Sequence, residues 1–151
     1  MYMKDVPMLP ADLLKIQTWL GSGSINIFGL PFSGKDTHGR ILADLLGAPM
    51  IGGGDILRNS PLPESLMKSM NEGELFPTEE YIKVVTPYFE KPELHGKPLI
   101  LSSVGRWIGE EQGIIHAART SAHDIKAVIY LHVSENTIRA RWSESQKTGD
   151  R

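Results

Sequence analysis

The stretch "INIFGLPFSGKDTHGRILADLLG", residues 25–47, decides the fold. A short apolar run, Ile25–Phe28, reads as a strand that ends at Gly29. The spacing Gly29-x4-Gly34-Lys35 follows at once. From Lys35 to Leu46, the residues Ile41, Leu42, Leu45 and Leu46 fall on one side of a helix, and Gly47 is its natural stop. Strand, glycine loop and helix in this order make a phosphate-binding loop. Backbone N–H groups at such a helix N-terminus converge on phosphate oxygens, and the lysine adds a charge that reaches the outer phosphates. One letter departs from the general pattern, which asks for Ser or Thr after the lysine; this chain has Asp36. A carboxylate in the first turn of a helix is favoured by the macrodipole, by about 0.3–1 kcal/mol.

Two further strands are legible. "KPLILSS" (97–103) and "KAVIYLHV" (126–133) are dense in Leu, Ile and Val, the pattern of strands buried on both faces. "GEEQGIIHAARTSA" (109–122) reads as a helix between them. Ser134 caps another in "SENTIRARWSESQK" (134–147). Strands alternating with helices imply an α/β fold, a parallel sheet between helical layers. The segment 55–91 is helical in pattern, punctuated by Pro61, Pro63, Pro77 and Pro87. It is expected as an insertion over the carboxyl edge of the sheet, where ligands bind in such folds. Ahead of the loop, "PADLLKIQTWL" (10–20) reads as a short amphipathic helix, followed by a flexible Gly-Ser break.

Bulk properties narrow the class. At 151 residues the chain fits one compact domain. A charge of −2 argues against a protein that coats nucleic acid. Nothing is apolar enough for long enough to cross a bilayer, and the N-terminus lacks the pattern of a secretory signal. Cysteine is absent, which rules out disulfides and fits a reducing, cytoplasmic setting. The five histidines show no metal-ligand spacing, and most are read as solvated or capping. Trp19, Trp107 and Trp142 are read as packing residues.

"GxPxSGKxT" followed by "ILADLLGAPMIGGGDILR" resembles the adenylate kinase family of nucleoside monophosphate kinases. In that family one extra residue separates the lysine from the magnesium-serving threonine, so the resemblance gives that task to Thr37. "GGGDILR" (52–58) resembles the family's T-G-D-x-L-R. "NEGELFPTEEYIKVV" (71–85) resembles G-x-L-V-P-D, "LILSSVGR" (99–106) the D-G-F-P-R segment, and "AVIYLHVSENTIRARW" (127–142) the strand and helix that lead into the lid.

The resemblance implies a three-layer, parallel-sheet P-loop kinase fold. It implies a helical extension over 1–24 and a kinase domain over 25–151. Within that domain it places a monophosphate-binding insertion at about 53–91 and a lid that starts near 142–151 and is cut short at the C-terminus. The implied reaction is reversible phosphoryl transfer from ATP to AMP, giving two ADP, with Mg2+. Gly29, Ser33, Gly34, Lys35, Asp36, Thr37 and Arg141 would bind ATP. Gly53, Arg58, Leu75, Phe76, Arg106 and Glu110 would bind the monophosphate. Lys35, Arg58, Arg106 and Arg141 would supply the positive charge that a loose transition state needs. Arginine suits phosphate because its rigid fork matches two oxygens.

Three positions depart from the family. Gly53 replaces a threonine, Ser102 an aspartate that orders magnesium through water, and Glu110 a glutamine that reads the acceptor base. An ionised Glu110 only accepts hydrogen bonds, which suits guanine's two adjacent donors. Gln112 is an alternative reader if the helix register differs. Asp36, gained where the loop has a glycine, is the candidate to replace the lost carboxylate near magnesium. Other readings stay open: a kinase for GMP or for a small metabolite alcohol, or a weak nucleotide-binding regulatory module. A monomer without nucleic-acid or membrane partners is expected.

Overall fold

A computed structural model describes residues 10–72, 78–106 and 108–149. Four strands form one parallel sheet: β1 (Ser24–Gly29), β2 (Met50–Gly52), β3 (Leu99–Ser102) and β4 (Ile125–Leu131), in the spatial order β2-β3-β1-β4. Among the described residues seven α-helices surround it: α1 (Pro10–Leu20), α2 (Lys35–Leu46), α3 (Gly53–Arg58), α4 (Glu64–Asn71), α5 (Thr78–Phe89), α6 (Glu111–Thr120) and α7 (Glu135–Thr148).

The strand period explains the layers. On β3, Leu99 and Leu101 enter one core with Ile51, Ile56, Val85, Phe89, Ile114 and Ala117. Ile100, between them in sequence, enters a second core with Leu20, Ile25, Ile27, Ala43 and Leu46. Successive side chains point to opposite faces of a strand. Helices α1 and α2 therefore cover one face, and α3, α5 and α6 the other. All four β3 residues are buried, as the apolar run predicts.

Three sequence expectations need correction. Strand β2 was not read, because three residues give no period to see. Pro87 was read as punctuation, yet it sits inside α5. Its ring cannot donate the N–H that Lys83 C=O would accept, so the last turn of α5 is weakened rather than ended. Strand β4 was expected to be buried on both faces. It is the edge strand, paired only with β1, and leaves Val128 63% and Tyr130 60% exposed. Helix α7, which follows β4, contributes no buried residue, and that apolar surface stays exposed among the described residues. Elsewhere the signals hold. Gly47 ends α2 in the left-handed conformation, and the Ser134 hydroxyl accepts from Thr137 N to cap α7.

Candidate active site

The phosphate loop joins β1 to α2. Phe32 and Gly34 take φ values of 62° and 92°, and Ser33 N donates to Leu30 C=O at 3.0 Å. Gly34 is required at its position, since that φ strains any L side chain. The turn leads directly into α2, which begins at Lys35. Lys35 is half-buried, and Asp36 and Thr37 are exposed. Ser33 Oγ is buried and has no hydrogen-bond partner among the described residues.

Arg141 reaches this loop from 109 positions away, donating from Nη1 to Phe32 C=O at 2.8 Å. His38 was read as solvated or capping. It is exposed, with its ring beside Gly34: Cδ2 is 3.4 Å and Arg141 Nη1 3.9 Å from where a Cβ on that glycine would sit. Asp36 is not simply turned to solvent either. Its Oδ1 accepts from Ser102 Oγ at 2.9 Å, so two of the altered positions of the sequence meet in space.

The acceptor side is built at the ends of β2 and β3. Gly53 opens α3; a Cβ there would lie 3.2 Å from Ser103 C=O and 3.5 Å from Tyr81 Oη. Gly105 N–H hydrogen-bonds Tyr81, and burial pushes that phenol up to about 12, with the Glu110 charge adding to the shift and Gly105 and Arg106 opposing it. Tyr81 therefore stays protonated at any working pH. Arg58, at the end of α3, is paired with Asp55 at 2.6 Å. Arg106 is exposed in the loop after β3.

Glu110, expected from the resemblance to face the acceptor base, lies near the start of α6. It immediately precedes α6 and is only 1% exposed, within electrostatic reach of Tyr81. Its side chain is turned into the protein. Leu75, Phe76 and Trp107 lie outside the described residues.

Sequence reading missed two supports. Asn26, 2% exposed on β1, donates from Nδ2 to Val104 C=O at 2.8 Å and accepts from Val104 N at 3.4 Å. This ties the donor strand to the loop that carries Arg106. An amide inside the otherwise apolar "INIF" was the available signal. Tyr81 had none, because its place on α5 becomes special only when α3 and the β3 loop converge on it.

No metal-binding group of three or more His, Cys, Asp or Glu exists among the described residues. The chain's donors at the loop are the Thr37 hydroxyl and the Asp36 carboxylate, both exposed on the first turn of α2. Oxygen donors in small number suit magnesium, which is bound by one or two protein oxygens plus substrate phosphates. The residues present fit that ion. No helix among the described residues is long and apolar enough to cross a membrane.

A parallel sheet, a glycine-lysine loop at the end of β1 and Arg141 reaching that loop from α7 are the features of a P-loop α/β protein of the kinase type. A family profile described as "AAA domain" (AAA_17) matches residues 28–151, and the chain belongs to that family. It is similar to an adenylate kinase of Thermosipho melanesiensis, 28% identical over 125 residues, which cover 80% of this chain and 58% of that protein. An adenylate kinase of Thermosynechococcus vestitus is 38% identical over 72 residues, covering 44% of this chain and 37% of its own. The chain thus spans about half the length of the curated relatives it matches. A crystal structure of a gluconokinase from Sinorhizobium meliloti 1021 shares the fold, with a TM-score of 0.53 and 21% identity over 85% of this chain and 66% of that one.

Proposed function

We propose that this chain carries the phosphoryl-transfer core of an ATP-dependent nucleoside monophosphate kinase, with AMP as first acceptor and two ADP as product. The observation that carries the reading is the convergence on one loop. Lys35 opens α2 there, and Arg141 reaches the same loop at Phe32 C=O from the far end of the chain. The adenylate kinase relatives support a nucleotide acceptor.

In the proposed reaction an acceptor phosphate oxygen forms a bond to the γ-phosphorus of ATP. The bond from that phosphorus to the β–γ bridging oxygen breaks, and the electron pair leaves with ADP. The loop amides and Lys35 would hold the β- and γ-phosphates. Arg58 and Arg106 would bind the acceptor phosphate and set it in line, and Arg141 would bridge both partners. Thr37, with Asp36 through water, would hold magnesium, which when bound neutralises charge on the β- and γ-oxygens. Everything else the chain does is positioning.

The test is a coupled assay of ATP turnover with AMP, GMP, CMP, UMP and gluconate offered separately, with Lys35→Ala as control. AMP is expected to be the best acceptor and gluconate to give nothing. Transfer to gluconate, or to no monophosphate, would sink the reading.

A further inference from the structure

Arg58 does not project freely from the end of α3. Its Nη2 donates to Asp55 Oδ1 at 2.6 Å. The other oxygen of the same carboxylate, Oδ2, accepts from Gly52 N at 2.9 Å. Asp55 therefore cannot rotate without giving up the hydrogen bond that starts its own helix. The Gly52 amide, and after it Arg58, hold the Asp55 carboxyl below its ordinary range, against the opposing effect of burial. The guanidinium also lies back over Gly54. A Cβ at that position would sit 2.9 Å from Nη1 and 3.4 Å from Nη2. Gly54 is thus a notch, and Asp55 the peg that keeps the guanidinium in it.

This arrangement does little for stability. The side chains of Arg58 and Asp55 are 69% and 47% exposed, and an exposed pair three residues apart contributes little net free energy. What it does is fix orientation. A guanidinium has five N–H donors, and Asp55 engages it through Nη2. The remaining donors stay open to a planar pair of oxygens. A long side chain that is already held loses less freedom when a ligand arrives than one that is not.

We propose that Gly54 and Asp55 are positioning residues that preset the Arg58 fork for a phosphate monoester, the acceptor's phosphate. The proposal rests on the reading of Arg58 as the acceptor-phosphate arginine. It does not require that the transfer itself follow.

The experiment compares wild type with Gly54→Ala and Asp55→Asn. Alanine at 54 improves helix propensity, so weakened binding in that variant is not a folding defect. Asparagine at 55 keeps an oxygen for Gly52 N–H and removes the charge that holds Arg58. Two probes are titrated, inorganic phosphate and AMP, while the Arg58 side-chain N–H signal is followed by NMR. In the wild type a dispersed Arg58 signal that shifts with both probes is expected. In both variants the signal collapses toward that of a free arginine. Affinity for AMP, and its KM, worsen about tenfold, while kcat and the KM for ATP stay within about twofold and the melting temperature of Gly54→Ala does not fall.

An unshifted Arg58 signal in wild type, unchanged AMP affinity in Gly54→Ala, or tighter phosphate binding in Asp55→Asn would each overturn the proposal. A wild type whose Arg58 responds as expected, but which transfers phosphate to no monophosphate, refutes the kinase reading and leaves this inference standing.

Discussion

Ser102 Oγ donates to Asp36 Oδ1 at 2.9 Å, joining the end of β3 to the first turn of α2. Two positions that depart from the adenylate kinase pattern are therefore in contact. The hydroxyl engages the carboxylate in the helix turn that carries Lys35 and Thr37, and the role proposed for Asp36 is to accept from a magnesium-bound water. Asp36→Gly is expected to raise the magnesium concentration for half-maximal rate by about tenfold, the equivalent of about 1.4 kcal/mol. Ser102→Ala, which frees the carboxylate without removing it, should raise it about two- to threefold. Initial rates against free magnesium at saturating ATP measure both. An unchanged requirement in Asp36→Gly would leave Asp36 as a helix-start carboxylate only.

Arg141 can be removed cleanly, because α7 buries none of its residues. Arg141→Ala should lower kcat by about 100-fold or more, in keeping with the large effect of an arginine on phosphoryl transfer. Its melting temperature should stay within about 2 °C of wild type. Arg141→Lys should recover little, since a point charge cannot hold Phe32 C=O and a phosphate in one planar fork. Single-turnover rates and calorimetry together check this; a kcat within threefold of wild type would remove Arg141 from the transfer step.

Tyr81 gives a pH signature. Its folded value is raised from 10.0 to about 12, chiefly by burial. Below pH 10 the phenol is protonated in both folded and unfolded chains and the stabilisation is complete. As pH rises from 10 to 12, the unfolded chain ionises first and stability falls, by up to about 2–3 kcal/mol at about 1.4 kcal/mol per unit. Urea midpoints taken between pH 9 and 11.5 should therefore fall less steeply in Tyr81→Phe than in wild type. Parallel curves would mean that the phenol ionises as easily folded as unfolded.

Asn26→Ala leaves the buried Val104 C=O and N–H without their partner. Each buried orphan costs about 1–3 kcal/mol, so a loss of at least about 2 kcal/mol is expected in chemical denaturation. KM for the acceptor should rise with it, because Val104 precedes Arg106 by two residues. A variant of wild-type stability would show that water replaces the amide without cost.

Legibility in the sequence followed the length and period of each signal. β1, the phosphate loop and α2 were readable because strand, glycine spacing and helix periodicity agreed over 23 residues of one stretch. Arg141, which the resemblance makes the lid arginine, hydrogen-bonds Phe32 C=O of the loop, a contact no sequence signal specified. The burial of Glu110 was not legible, because a position in a motif says which segment a residue lies on and not which way it points; one residue before α6, it is 1% exposed. The density of apolar residues in β4 misled for a related reason: composition cannot distinguish a central strand from an edge that happens to be greasy. Asp55, His38 and Tyr81 acquire their meaning only from neighbours brought in by the fold.

The link between Asn26 and Val104 bears on how acceptors are told apart. β1 ends in the donor loop, and Val104 leads into Arg106, so the two ends of the transfer hang from one stiff frame with a set spacing. In the proposed reaction the donor loop and the Arg106 loop would keep that spacing whichever acceptor is bound, so telling acceptors apart would fall to the rest of the acceptor site.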